Sequence, residues 1–429
     1  MKLSCYTHIS PSASDSDSKV LFCTKNASTI LVPSGLLEDI EKGGLSGEET
    51  ESLVELGFLV PSHEEEKREM LGFIREMNDR SRSMRYVVVL NLDCNLACKY
   101  CFEGTRKGKH FLSDEVEARF IDFVKRSDLS HKDGIQITFY GGEPLLSIPR
   151  IESISRKIRA FSEKKGLTYG FLLVTNGTLL TAEAVGRLAP LGLTGAKVTL
   201  DGPKEVHDSF RPFRNGAGSF DIIVRNIDDV CERVRIQIGG NYTRKQYREF
   251  PRLLDHLLER GITPARVPDV KFDPVVNESS EFALPDFRDG YESSDEPWLV
   301  EASLRLRDEV LRRGFRQPKM APSPCLMELD ASLVIHYNGA IYKCPGLIGR
   351  KNCSIGDVTK GTGDYRGSHG LDDWKNEVCL ACAYLPLCFG GCKYVKLVED
   401  GSMRGTQCRK KYFDRTLAGL LAQDIKYDL

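Results

Sequence analysis

Cys94, Cys98 and Cys101 stand at C-x3-C-x2-C spacing, with no fourth cysteine nearby. Thiolates this close together suit a metal ion or an iron–sulfur cluster, whose closed sites take four protein ligands. Three ligands leave one position for a group the protein does not supply. The spacing alone equally allows a zinc site or three reduced core cysteines. A second set lies far downstream. Cys325 is followed by thirteen residues, Gly339, four residues and Cys344; then come Cys379-x2-Cys382-x5-Cys388-x3-Cys392 and, after a gap, Cys408. These two sets hold ten of the fourteen cysteines. Disulfides are rare in the reducing cytosol, so clustered cysteines there point to metal. Cys5, Cys23 and Cys231 fall in predicted strands or helices and read as small buried hydrophobes, which leaves Cys353 as one further candidate ligand.

The elements around these residues say how they are positioned. Residues 1–83 give three short β-type runs separated by the polar turn at residues 10–18. Two short helices follow, the first starting at a capping Ser34, and then a charged helix over residues 63–82. That is the outline of a small winged-helix-like module. Residues 84–318 alternate six strand-like runs with amphipathic helices, which predicts a parallel α/β sheet, open or curled into a partial barrel. In such sheets reacting groups gather at the C-terminal strand ends. Cys94–Cys101 follow the first strand, Gly141, Gly142 and Glu143 the second, Asn176 ends the third, and Thr199 and Asp201 end the fourth. A Pro-rich linker then leads to residues 319–429, rich in Cys and Gly and poor in long periodic segments.

Composition narrows the function. Lys plus Arg is 60 against 61 for Asp plus Glu, a formal net charge of -1. This balance predicts neither nucleic acid nor an anionic membrane as main partner. No signal-type h-region and no membrane-length apolar run is present, so a cytoplasmic location is expected.

The three-cysteine loop, with aromatic Tyr100 before its last cysteine, resembles the signature of the radical S-adenosylmethionine (SAM) enzymes. "YGGEPLL", "VTNGTLL" and "VTLDGPKEVHDSFRP" resemble that family at the expected strand ends, from Tyr86 to about Phe220. The C-terminal cysteines are similar to the SPASM extension of peptide-modifying members. The resemblance implies a partial (β/α)6 TIM-type barrel between a winged-helix-like peptide-recognition domain and a Cys-rich SPASM domain. It implies that Cys94, Cys98 and Cys101 bind a [4Fe-4S] cube whose open iron takes SAM. Gly141, Gly142 and Glu143 would then meet its amino group, and Tyr100, Asn176, Thr199, Asp201 and Arg211 would be cofactor or substrate contacts. Two auxiliary [4Fe-4S] clusters are implied, one on Cys379, Cys382, Cys388 and Cys408. The other would use Cys325, Cys344 and Cys392, completed by Cys353 or by a substrate thiolate.

The function so implied is a radical maturase of a ribosomally made precursor peptide. It would bind the leader on the N-terminal sheet and form a crosslink, foremost a cysteine thioether to carbon. Electrons would come from a donor such as flavodoxin or ferredoxin. One alternative is an anaerobic sulfatase-maturating enzyme, whose relatives carry an aspartate after the cysteine matching Cys344, where this chain has Pro345. Another is a non-catalytic iron–sulfur carrier or peptide-binding protein. No residue of this chain stands out as the catalytic base.

Overall fold

A computed structural model describes residues 1–12, 15–278, 284 and 287–429 of the chain. Residues 13 and 14 of the expected polar turn lie outside that set. The chain divides into two compact units, residues 1–80 with 318–329 and 366–429, and residues 81–317 with 330–365.

The first unit begins with β1 (Lys2–Leu3), β2 (Thr7–Pro11), β3 (Ser18–Cys23) and β4 (Thr29–Pro33). Strands β2, β3 and β4 form an antiparallel sheet with β3 central, so β2 and β4 are both edges. Helices α1 (Gly35–Lys42) and α2 (Gly47–Glu55), strand β5 (Leu59–Val60) and helix α3 (His63–Arg80) follow. The expected cap at Ser34 is absent: its backbone is already helical (φ -57°, ψ -30°), and its side chain makes no capping bond. Ser46 caps α2 instead, with a reciprocal Glu49. Glu66 of α3 is 1% exposed. It accepts from the Ser4 hydroxyl and the Cys5 amide and pairs with Lys25 at 2.5 Å, so a single carboxylate ties two N-terminal segments to α3.

The second unit contains β6 (Ser83–Val89), α4 (Asp114–Arg126), β7 (Gly134–Tyr140), α5 (Ile148–Lys164), β8 (Thr168–Thr175), α6 (Ala182–Leu188) and β9 (Leu193–Thr199). It continues with α7 (Lys204–Phe210), α8 (Phe220–Val230), β10 (Arg235–Tyr242), α9 (Phe250–Glu259), β11 (Asp269–Pro274) and α10 (Pro297–Leu311). All six strands expected from the alternation form, parallel and in sequence order from β6 to β11. A seventh parallel strand, β12 (Ser332–Ile335), joins β6 on its other side. Three short strands, β13 (Ala340–Tyr342), β14 (Gly356–Asp357) and β15 (Gly361–Thr362), extend the sheet antiparallel from it. Burial tends to alternate along β6 to β11, and the buried face packs with the helices on a core that includes Tyr86, Phe120, Phe139, Phe171, Phe220 and Phe250.

The first unit resumes with α11 (Glu377–Leu380), α12 (Leu385–Cys388), α13 (Lys393–Asp400) and α14 (Lys410–Lys426). The last, 17 residues long, is not among the elements expected from sequence. Its buried Phe413, Leu417, Leu420 and Leu421 do recur at helical spacing.

Glu66→Ala should leave the largely buried Lys25 without its partner, at a cost of about 3 kcal/mol. Faster amide exchange over residues 2–23 is the expected result; exchange equal to wild type would mean that Glu66 carries no such load.

Candidate functional site

The C-terminal ends of the parallel strands carry the residues singled out from sequence. After β6 the chain enters the cysteine loop, and its first turn lies directly against the end of β7. Gly142 N–H donates to Asn91 O at 3.0 Å, and Glu143 N–H to Asp93 O at 2.8 Å. The glycines are required by this approach. A Cβ at Gly142 would lie 2.2 Å from Asp93 O, and one at Gly141 (φ +147°) 2.4 Å from Asn91 O. Asn91 closes the contact by donating to Glu143 O at 3.0 Å and Ser147 Oγ at 2.8 Å.

Glu143 is fully buried. Its carboxylate accepts from Thr175 Oγ1 at 2.8 Å, Leu145 N at 3.0 Å and Asn176 N at 2.8 Å. Burial pushes its pKa up, and these donors pull it back. Three of about four lone-pair sites are thus taken within the protein. Asn176 in turn donates to Cys94 Sγ at 3.6 Å and Asn95 Oδ1 at 2.8 Å. The ends of β7 and β8 are in this way tied to the first cysteine.

Tyr100 links the loop to the other side of the mouth. Its hydroxyl accepts from Arg211 Nη1 at 2.6 Å and Asn241 Nδ2 at 3.0 Å, and donates to Asp201. Asp201, fully buried, also accepts from Asn241 N at 2.7 Å. Asn241, at the end of β10, was missed from sequence, although the strand-end rule reaches it. Thr199 ends β9 half-buried and takes no part in these bonds. Arg211 is 8% exposed, feels Cys98 and Asp201 electrostatically, and keeps an Nε–H with no partner among the described residues.

Burial pushes the Cys94 thiol up, and Cys101 to about 12, and each also feels Cys98 electrostatically. Glu103, also missed from sequence, is 1% exposed, neither carboxylate oxygen has a hydrogen-bond partner among the described residues, and burial raises it to about 7 against the pull of Lys107 and Arg106. In front of the loop opens a cavity of about 760 Å³ lined by Cys98, Cys101, Lys99, Phe210, Arg214 and Phe287, among others.

The downstream cysteines divide between the units. Cys379, Cys382, Cys388 and Cys408 lie in the first unit within electrostatic reach of one another, as do Cys325 and Cys392. Cys344 and Cys353 lie in the second, Cys344 near Tyr140 and Cys353 near Tyr342. All fourteen cysteines are thiols. Among the described residues no three His, Cys, Asp or Glu side chains converge on a single metal-ion position. Cys23 and Cys231 are buried as expected, whereas Cys5 is only half-buried. Among the described residues no helix is long and apolar enough to cross a membrane.

A thiol loop at the C-terminal mouth of a parallel sheet, facing an open cavity, stands where α/β folds of this kind gather their reacting groups. Residues 88–254 match the radical SAM superfamily, so this stretch of the chain is a radical SAM domain. The chain is 34% identical over 284 residues to a serine-type anaerobic sulfatase-maturating enzyme of Bacteroides thetaiotaomicron, covering 58% of this chain and 66% of that one. It spans 43% and 66% of the first two curated relatives it matches. Among solved structures, native anSMEcpe with bound AdoMet and Kp18Cys peptide superposes with a TM-score of 0.63 at 19% identity, over 81% of this chain and 100% of that one. Streptococcus suis SuiB bound to precursor peptide SuiA superposes with a TM-score of 0.50 at 14% identity, over 95% of this chain and 98% of that one.

The superfamily implies SAM and one [4Fe-4S] cluster. The residues present suit both: three thiols on one loop, two of them lining the open cavity, and a buried guanidinium N–H with no partner among the described residues. Tyr100→Phe should cost about 1–3 kcal/mol, because Asp201 loses a buried donor and Arg211 and Asn241 an acceptor. Thermal unfolding checks this, and an unchanged midpoint would mean that the network bears no weight.

Proposed function

We propose that this protein is a radical SAM maturase that modifies a peptide, foremost by a cysteine thioether crosslink in a ribosomally made precursor. The observation that carries the reading is the cavity at the strand-end mouth, walled by two thiols of the three-cysteine loop. Cys94, Cys98 and Cys101 would hold the cube, and Cys379, Cys382, Cys388 and Cys408 one auxiliary cluster. Cys325, Cys344 and Cys392 are the ligands proposed for another. Bound together, cube and SAM supply a 5′-deoxyadenosyl radical able to take a hydrogen atom from carbon.

The protein's own part is positioning. The Gly141–Gly142 backbone fixes the loop by letting it approach the end of β7. Arg211 offers its unpartnered Nε–H to a carboxylate. Tyr100, Asp201 and Asn241 hold the loop's far end, so its thiols keep one arrangement between turnovers. Thioether formation takes a hydrogen atom from carbon, which ends in 5′-deoxyadenosine, and a proton from sulfur; the one electron left over when the C–S bond forms needs an acceptor, a role suited to an auxiliary cluster. The two edge strands of the N-terminal sheet expose Ile9 and Leu31, which suits addition of a leader as a further strand. A cytoplasmic site and a flavodoxin- or ferredoxin-type donor accord with reductive chemistry.

The 34% identity to a sulfatase-maturating enzyme favours a second reading, oxidation of a Ser or Cys in a sulfatase. Pro345 stands where those relatives carry aspartate, which weighs against it.

Anaerobic reconstitution with dithionite and SAM should yield 5′-deoxyadenosine; none formed would sink the enzymatic reading. Replacing Cys94, Cys98 and Cys101 with Ala should abolish that product while iron remains at the C-terminal cysteines. Mass spectrometry of a co-expressed precursor should show loss of two hydrogens per crosslink, and formylglycine in a sulfatase peptide instead would select the second reading.

A further inference from the structure

The loop carrying Cys379, Cys382 and Cys388 is built against the N-terminal module. Tyr6 Oη donates to Leu380 O at 2.9 Å, and Thr24 Oγ1 to Ala383 O at 2.6 Å. Both acceptors are backbone carbonyls inside the cysteine loop, Leu380 directly after Cys379 and Ala383 directly after Cys382. Apolar packing repeats the pattern. Cys379 packs against a cluster formed by Tyr6, Met70 and Ile74 with Leu380, Leu385 and Phe389. Cys382 and Cys388 pack against a cluster in which Phe22 of β3 meets Tyr384, Leu387 and Phe413.

Phe389, directly after Cys388, has φ +41°, a left-handed conformation that a bulky residue holds only under constraint from its neighbours. That constraint comes from Phe73 of α3, stacked at 5.5 Å, and from Trp374, edge-on at 5.3 Å. The N-terminal module therefore supplies hydrogen-bond donors, apolar cover and the support for a strained residue, all at one loop.

We infer that the N-terminal module is a structural wall of the four-cysteine site, with Tyr6, Thr24 and Phe73 as positioning residues for its ligand loop. Iron held at Cys379, Cys382, Cys388 and Cys408 and order in the N-terminal sheet are then thermodynamically linked. This rests on the proposed iron–sulfur role of those four cysteines and goes beyond it, because the same module is the proposed seat of the leader. A peptide bound there acts on an element that also holds an auxiliary site.

The test uses the full-length chain with Cys94, Cys98 and Cys101 replaced by Ala, reconstituted with iron and sulfide and challenged with an iron chelator. Adding Cys379→Ala, Cys382→Ala, Cys388→Ala and Cys408→Ala identifies the release phase belonging to this site. Tyr6→Phe with Thr24→Val should speed that phase about tenfold, and Phe73→Ala should speed it as well. In the reciprocal direction, amide exchange over residues 18–23 should be slower with iron loaded than in the variant lacking the four cysteines. Unchanged release together with unchanged exchange overturns the linkage. If the four-cysteine variant loses no iron phase, the cluster assignment itself falls, and the linkage with it.

Discussion

Two glycines decide where the cysteine loop lies. The backbone of Gly141 and Gly142 approaches Asn91 and Asp93 so closely that any side chain there would overlap a carbonyl oxygen. The contact is made by backbone hydrogen bonds from Gly142 and Glu143, which need no particular side chain on the loop itself. Everything else at the mouth follows from it. With the loop start fixed on β7, Glu143 can bridge to β8, Asn176 can reach Cys94, and Tyr100 falls opposite the ends of β9 and β10.

Charge is handled by enclosure. Asp201 and Arg211 are buried, and a pair taken out of water is tolerable only when its remaining donors and acceptors are met. Here Tyr100 and Asn241 meet most of them, and the Arg211 Nε–H is left over. Glu103 is the counterexample within the same loop, a buried carboxylate with both oxygens unpaired among the described residues.

The first unit follows a different logic. Its C-terminal helices α11 and α12 are four residues each, too short to be stable alone, and their order comes from what packs on them. The N-terminal sheet and α3 supply that packing through Tyr6, Phe22, Met70 and Phe73. Segments far apart in sequence thus share one core, and the 1–80 stretch is not self-contained in its contacts.

Sequence by itself was enough for the six parallel strands, because their apolar runs and intervening amphipathic helices carry distinct periods. It also placed Gly141, Gly142, Asn176 and Asp201 at strand ends. It could not supply β12, a four-residue strand whose pairing with β6 joins residues some 250 positions apart, nor α14, whose apolar stripe lies in a Cys-rich stretch read as metal-organised. It misread Ser34 as a cap, since capping depends on a backbone angle that residue type does not fix. Only the tertiary structure decided that Glu143 spends most of its hydrogen-bonding capacity on the protein, that Asn241 and Glu103 belong to the mouth, and that the N-terminal module walls the four-cysteine loop. Those are contacts between distant residues, and a local pattern carries no record of them.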